Sequence, residues 1–130
     1  MTATDTRPPQ RKPYKQSAEA KSWAFMRLSG LLLLFFALVH FAITHIVNDV
    51  VETDYDFVAE RWHNPAWRVF DWMLLVLALS HGVNGLRWIV DDYVREPGRR
   101  RVVKGVLYGL TGVLVVVGTL TILAFPSRPR

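Results

Sequence analysis

Three long apolar blocks constrain this chain more than any other feature of its sequence. They cover residues 28–47, 69–90 and 106–125, and the third contains no charged residue. At about 1.5 Å of rise per residue, a helix of about 20 residues crosses the roughly 30 Å hydrocarbon core of a bilayer. The blocks therefore predict an all-α membrane protein with three transmembrane helices, which span about residues 26–48, 66–93 and 102–125.

Charged residues are concentrated outside these blocks. The 130 residues are 51% apolar and 21% charged, with a net charge of +5, and this composition fits a membrane protein when the two classes are segregated along the chain. We expect residues 1–21, which are rich in Pro, Lys and Arg, to form a flexible basic cytoplasmic tail with a short interfacial helix from Ser17. Residues 22–130 then form one three-helix membrane domain.

The first apolar block is predicted to be a retained span and not a cleaved signal peptide. It follows a polar stretch of about 27 residues, is longer than the 7–15 residues typical of a signal core, and is not followed by an A-x-A-like site. The chain contains no cysteine, which excludes disulfides, thiolate nucleophiles and Cys-ligated iron–sulfur clusters within it.

The charged loops predict an orientation in the membrane. The loop between the first two spans is net acidic, whereas residues 94–104 carry five basic side chains and one acidic side chain. Because Lys and Arg favour the cytoplasmic side, we expect the N-terminus and residues 94–104 in the cytoplasm and the C-terminus outside. Basic residues in this arrangement set the orientation, so we do not expect nucleic-acid binding.

Aromatic residues and a capping pair mark the ends of the spans. Amphipathic rings prefer the headgroup level, which predicts Trp23 and Trp88 at the cytoplasmic interface. The same preference predicts a second group at the outer interface, namely Trp62, Trp67 and Trp72. Asn64 followed by Pro65 predicts the N-cap and the first turn of the second helix.

The second apolar block carries ionisable residues within its predicted helix. A charged group at the bilayer centre costs about 2.5–3.5 kcal/mol on insertion scales, so such residues are candidates for a functional site. Gly85 and Trp88 lie within about 40° of His81 around the helix. The absence of side chains at Gly82 and Gly85 leaves room for a large planar ligand such as haem, with His81 as an axial ligand. The alternative is a histidine that hydrogen-bonds to another helix, with glycines that allow close packing.

Two further histidines, His40 and His45, lie on the first helix, on different faces. Counted from the cytoplasmic ends of their helices, His40 and His81 are both expected at a depth of about 18–20 Å. A pair of ligands within one chain is therefore one arrangement, and a second ligand from a partner chain is the other.

The second helix ends in Asp91, Asp92 and Tyr93 at the predicted cytoplasmic interface. The phenol of Tyr93 can donate a hydrogen bond, and the adjacent carboxylates can accept or relay protons. The alternative is an aromatic-belt tyrosine beside ordinary helix-end charges.

Taken together, these motifs resemble those of a known family. His81-x3-Gly85 followed by Asp92-Tyr93, together with the segment SWAFMRLSGLLLLF, resembles the small hydrophobic membrane anchor of succinate dehydrogenase, respiratory complex II. The three spans and the position of the histidine match as well, so the resemblance covers most of residues 22–125.

The resemblance implies roles for individual residues. His81 matches the axial ligand of haem b, whose other ligand comes from the companion large anchor subunit. Tyr93 matches the tyrosine that hydrogen-bonds the bound quinone, with Asp92 beside it, and Arg27 matches a basic residue near a haem propionate. Arg87 falls outside the family pattern; a contact with a propionate, with the quinone, or with Asp91 at i, i+4 is a hypothesis.

The resemblance also implies a function. The chain would be part of a multi-subunit helical bundle in a prokaryotic plasma membrane, together with a second membrane anchor subunit, the large one. It would dock an iron–sulfur subunit and a flavoprotein subunit, and electrons from succinate would reach menaquinone or ubiquinone. The chain would carry out no succinate chemistry itself, and fumarate reduction fits the same architecture.

Two alternatives come from other classes of protein. The first is a component of a small multi-span transporter or channel, in which His81, Arg87 and Asp91 line a proton or ion path. The second is a purely structural subunit, in which these residues only pack helices.

Overall fold

A computed structural model describes residues 18–126, which form helices and contain no strand. Four α-helices follow one another along the chain: α1 (Ala18–Phe41), α2 (Tyr55–Arg61), α3 (Pro65–Tyr93) and α4 (Pro97–Ala124). A π-helical segment, Ala42–Val47, extends α1, and a 3₁₀ turn, Val50–Glu52, precedes α2. Residues 1–17, and with them most of the predicted tail, lie outside the described part.

Three helices are long and apolar enough to cross a membrane. They are Ala18–Val47, Pro65–Tyr93 and Pro97–Ala124, of 30, 29 and 28 residues. The prediction of an all-α membrane protein with three transmembrane helices is confirmed. The first and third helices begin well before their predicted spans, because helical hydrogen bonding continues through polar residues that are good helix formers.

Two element boundaries differ from the expectation. The predicted interfacial helix from Ser17 is not a separate element within the described residues, because α1 runs without a break from Ala18 into its apolar block. Likewise, the basic residues of 94–104 do not form a loop. Pro97 occupies the first turn of α4, so most of these basic side chains lie on its first two turns.

Side-chain caps fix the start of two helices. Asn64 Oδ1 accepts a hydrogen bond from the Ala66 N–H at 2.9 Å, and Pro65 follows in the first turn of α3; this predicted cap is confirmed. Asp54 Oδ1 accepts from the Phe57 N–H at 2.9 Å. This second cap begins α2, a short helix between the first two spans that the apolar pattern did not indicate.

Helix α3 lies between α1 and α4 and packs antiparallel to both. Along α1, a single stripe of Ser22, Met26 and Ser29 faces α3. Along α4, Trp72 Nε1 donates to Thr119 Oγ1 at 3.1 Å. A Cβ on Gly118 would lie 2.6 Å from Leu75 Cδ2, so glycine allows this side chain to pack directly against the α4 backbone.

Few side chains are buried within the chain itself. Among residues 18–126 only Ser29, Thr44, Ala59 and Ile122 are buried, and none of these belongs to α3. Large apolar side chains cover the outer faces of all three long helices. Such faces are stable against lipid or against apolar helices of other chains, so the fold presumes a bilayer.

An ion pair joins α2 and α3 at the end of the bundle that carries residues 48–64, called here the outer end after its predicted orientation. Arg61 Nη2 and Trp62 Nε1 each donate to the carboxylate of Asp71 at 2.7 Å. The side chains of Arg61 and Asp71 are only 9% and 12% exposed. Trp62 also packs edge-on against Phe125 at 5.1 Å, which brings the end of α4 into the same cluster.

Candidate functional site

The imidazole of His81 faces α1. Its Nδ1 lies 3.0 Å from Ser29 Oγ, and a Cβ on Gly30 would lie 3.2 Å from its Cε1. Serine and glycine therefore let the Nδ1–Cε1 edge of the ring lie close against the backbone of α1. Within residues 18–126, Nε2 has no hydrogen-bond partner. One ring nitrogen of His81 is thus engaged, and the other is free.

A second polar group joins the same two helices nearer the end of α3. Arg87 Nη2 donates to Ser22 Oγ at 2.8 Å, and Ser22 Oγ donates to Asn84 Oδ1 at 2.8 Å. Arg87 Nε and Asn84 Nδ2 are buried and have no hydrogen-bond partner among the described residues. Because a buried donor without an acceptor is unfavourable, these two atoms mark a place where an acceptor from outside the chain would be stabilised.

Asp91 connects α3 to α4. Its carboxylate accepts a hydrogen bond from Lys104 Nζ at 2.7 Å, and Arg100 Nε lies 3.8 Å from it. The hypothesis of an Arg87–Asp91 pair is wrong, because Arg87 turns toward α1 and Asp91 toward α4. His81, Arg87 and Asp91 thus have three separate sets of partners.

Arg27 lies on the other side of α1 from Ser29. The two residues are two positions apart, which places them about 200° apart around the helix. The guanidinium stacks over the Trp23 ring, 4.0 Å from its centroid. The structure therefore does not bring Arg27 together with His81, whereas Arg87 shares the α1–α3 interface with it.

Asp92 and Tyr93 lie at the end of α3. The Tyr93 side chain is 82% exposed, and twelve residues separate it from His81, about 18 Å along the helix axis. The two candidate sites are therefore distinct. A ligand at Tyr93 would need to be enclosed by other chains.

His40 and His81 lie at different depths, contrary to the expectation that they could share a ligand. Ser29 is level with His81, and His40 lies eleven residues further along α1 (29 to 40), about 16 Å away. The depth estimate failed because it took Arg27 as the start of the first helix, whereas α1 begins at Ala18. His40 lines a cavity of about 240 Å³ at the outer end, beside Asp71.

His45 is engaged locally. Its ring stacks on Phe41 with centroids 4.5 Å apart, and its Nδ1 lies 2.8 Å from Thr44 Oγ1. Both neighbours belong to the same helical segment, so these contacts do not connect His45 with α3.

The residues around His81 fit one half of a haem site. Nε2 is free, and a Cβ on Gly82 would meet no atom within 4 Å, whereas Gly85 packs against Met26. The open space predicted near both glycines is therefore confined to the Gly82 side. Residues 18–126 contain no cluster of three or more His, Asp or Glu side chains, so a metal at His81 would take its other ligands from elsewhere.

The partners of the candidate residues were missed by sequence reasoning. Ser22, Met26 and Ser29 follow an i, i+4, i+7 spacing, the signature of a helix face that packs against another helix. The apolar residues around them obscured this stripe, and Asn84 gave no signal as an amide within a long helix.

Comparisons with known proteins agree on one family. The chain matches, over residues 1–125, the family described as succinate dehydrogenase/fumarate reductase transmembrane subunit. A succinate dehydrogenase hydrophobic membrane anchor subunit from Thermoplasma acidophilum is 30% identical over 93 residues, which cover 72% of this chain and 76% of that protein. A protein of the same description from Archaeoglobus fulgidus is 32% identical over 98 residues, 75% of this chain and 79% of the relative.

A third relative carries a different name. The succinate dehydrogenase 2 membrane subunit SdhC of Mycobacterium tuberculosis is 29% identical over 98 residues, which cover 75% of this chain and 71% of the relative.

Proposed function

Because the chain belongs to the succinate dehydrogenase/fumarate reductase transmembrane subunit family, we propose that it anchors such an enzyme to a prokaryotic plasma membrane and helps to bind haem b and quinone. The family match over residues 1–125 is the observation that carries the proposal. The three apolar helices support it, since they can hold a complex in the bilayer. The transport alternative gains no support from any of these relatives.

We propose His81 as one axial ligand of haem b, with the second ligand on a companion anchor subunit. The free Nε2 and the open space beside Gly82 support this role. When bound, the haem supplies a one-electron carrier within the bilayer. The chain's own contribution is to present Nε2 from a ring that α1 holds in place.

Arg87 is the better placed of the two proposed propionate-binding cations. It contacts the Ser22 hydroxyl and the Trp88 ring, whose centroid lies 5.3 Å from the guanidinium, and its Nε is buried and has no acceptor among the described residues. An arginine in a membrane is stabilised by an anion, which a propionate or a quinone oxygen from outside the chain would approximate. Arg27 remains proposed for a propionate that reaches the Trp23 face of α1.

We propose that Tyr93 donates a hydrogen bond to a carbonyl oxygen of the quinone, with Asp92 next to it. Both side chains are exposed at the end of α3, where a second membrane anchor and an iron–sulfur subunit would close a site around the substrate. This end is expected to face the cytoplasm, where the protons for quinone reduction are available. Menaquinone and ubiquinone both carry the required carbonyls.

The basic first turns of α4 are proposed to face the soluble subunits. Lys104 and Arg100 are directed to Asp91, while Arg99 and Arg101 are exposed. Exposed arginines near the cytoplasmic surface would complement acidic groups on an iron–sulfur or flavoprotein subunit. Oxidation of succinate, or the reverse reduction of fumarate, would occur on the flavoprotein and not on this chain.

The substitution Tyr93→Phe tests the quinone site. Phenylalanine keeps the ring but cannot donate, so we expect the rate of succinate-dependent quinone reduction by the purified complex to fall about tenfold, the equivalent of about 1.4 kcal/mol. Succinate oxidation with a soluble dye that accepts electrons from the flavoprotein arm should be unchanged.

Tyr108→Phe is the matched control. Tyr108 is also exposed, at 49%, but lies on α4, so its replacement should change neither rate. Equal quinone reduction in the Tyr93→Phe and wild-type complexes would remove Tyr93 from the site. A tagged chain that purifies without flavin or succinate-oxidising activity would overturn the anchor function itself.

A further inference from the structure

We infer that Ser29 is a positioning residue that fixes the neutral tautomer of His81, with the proton on Nδ1 and the lone pair on Nε2. The inference rests on the proposed haem role of His81 and adds a residue on a different helix to that site. The contacts of the Ser29 hydroxyl with α1 and α3 carry it.

The Ser29 hydroxyl sits between two groups. The residue is 2% exposed, its Oγ lies 3.0 Å from His81 Nδ1, and the Met26 carbonyl oxygen lies 3.4 Å away as an acceptor. A hydroxyl has one hydrogen to donate and two lone pairs with which to accept. It cannot donate to both Met26 and His81 at once, so the direction of the two bonds is coupled.

One arrangement satisfies both contacts. If Ser29 donates to the Met26 carbonyl, its oxygen is free to accept the Nδ1–H of the imidazole. If Ser29 instead donates to Nδ1, the contact with Met26 makes no hydrogen bond, and the ring proton moves to Nε2. A buried hydroxyl is most stable when both of its contacts are hydrogen bonds, which favours the first arrangement.

The favoured tautomer is the one that a metal requires. Neutral imidazole binds a metal through the nitrogen that carries no proton, and the hydrogen bond at the other nitrogen decides which one that is. With Nδ1–H held by Ser29, the lone pair of Nε2 is directed away from the contact with α1. An Nε2–H tautomer could not act as a ligand without first losing that proton.

Gly30 reinforces the orientation of the ring. A Cβ at this position would lie 3.2 Å from Cε1 of His81, so the glycine allows the imidazole edge to approach close enough for the 3.0 Å contact with Ser29. The adjacent Ser29 and Gly30 thus act together, one by hydrogen bonding and the other by leaving space.

The test compares haem retention in whole complexes purified through a tag on this chain. Removing a group that orients a metal-binding histidine typically lowers metal affinity 10–100-fold. Because a hydroxyl is a weaker acceptor than a carboxylate, we expect Ser29→Ala to lose ferric haem to excess apomyoglobin about tenfold faster than the wild type. The electron paramagnetic resonance signal of its oxidised haem should also broaden, since the ring plane is no longer fixed.

Ser80→Ala is the matched control. Ser80 precedes His81, but its hydroxyl donates to the Val76 carbonyl of its own helix at 2.6 Å, so neither readout should change. Ser29→Cys provides a second variant if Ser29→Ala does not assemble, because a thiol fills similar space and is only a weak acceptor. It should shift both readouts in the same direction.

The outcomes separate this inference from the proposed function. Faster haem loss in the Ser29 variants and not in Ser80→Ala supports the inference. Haem retention and a resonance signal equal to those of the wild type would overturn it and leave His81 as a ligand. A wild-type complex that contains flavin but no haem would overturn the proposed haem site, and the inference with it.

Discussion

At the scale of single residues, Gly30 sets the distance between α1 and the His81 ring. A Cβ at this position would lie 3.2 Å from Cε1 of the imidazole, and the γ-methyl groups of a valine would extend further into the ring. We therefore expect Gly30→Val to displace the imidazole and to lower the haem content per flavin severalfold.

A glycine on α4 provides the comparison for this prediction. A Cβ on Gly105 would meet no atom within 4 Å, so Gly105→Ala should retain the wild-type ratio of haem to flavin. The ratio is measured from absorption spectra of the purified complexes. A full complement of haem in Gly30→Val would show that the close approach at Gly30 is not needed.

The sequence indicated the chemistry of individual residues better than their partners. His81 and Tyr93 could be singled out because ionisable or phenolic side chains in an apolar helix are costly or specialised. Ser29 could not, since a serine in a membrane helix can satisfy itself by bonding to its own backbone. Only the packing of α1 against α3 showed which of its contacts was shared with His81.

At the scale of elements, the outer end of the three helices depends on one ion pair. Asp71 accepts from both Arg61 and Trp62, and the two charged side chains are about nine-tenths buried. Removing one partner of such a pair leaves a buried charge and costs about 3–5 kcal/mol. We expect Asp71→Leu to lower the thermal midpoint of the purified complex in detergent by several degrees.

Two further variants separate loss of the pair from general damage. The double variant Arg61→Leu/Asp71→Leu removes both charges and should recover much of the lost stability, because no charge remains unpaired. Asp56→Leu, on the exposed first turn of α2, should have a small effect. A double variant as unstable as Asp71→Leu would contradict the assignment.

Element boundaries explain which predictions succeeded. Spans and the Asn64 cap follow from apolar length and from cap chemistry, and both are local. The level of His40 depended on where α1 begins, and the polar residues before Trp23 gave no sign that they continue the same helix. A start displaced by nine residues (27 to 18) moved every residue of α1 relative to α3 by about 14 Å.

At the scale of the whole molecule, charge predicts the orientation. The chain has no cysteine, so a single introduced thiol reports its own side of the membrane. Val51 lies between the first two spans and is 86% exposed, while Glu96 is an exposed residue before α4. We expect a membrane-impermeant maleimide to label Val51→Cys in intact cells and Glu96→Cys only after permeabilisation.

The reverse labelling pattern would place the basic start of α4 outside the cell. It would also separate Tyr93 from the soluble subunits and from cytoplasmic protons. The orientation and the quinone site are thus tested together at this scale.

The exposed helix faces give the chain an incomplete character by itself. None of the residues of α3 is buried within the described chain, and neither His81 nor Tyr93 is enclosed by it. A haem or a quinone held at these residues needs walls from other subunits, which is the arrangement that membership in a family of transmembrane subunits leads us to expect.

The most direct measurement is a reduced-minus-oxidised absorption spectrum of the complex purified through a tag on this chain. We expect a b-type haem signal together with flavin in the wild type, no such signal in His81→Ala, and an unchanged signal in His45→Ala, whose ring contacts only its own helical segment. A wild-type complex without haem, or a His81→Ala complex with the wild-type signal, would contradict the account.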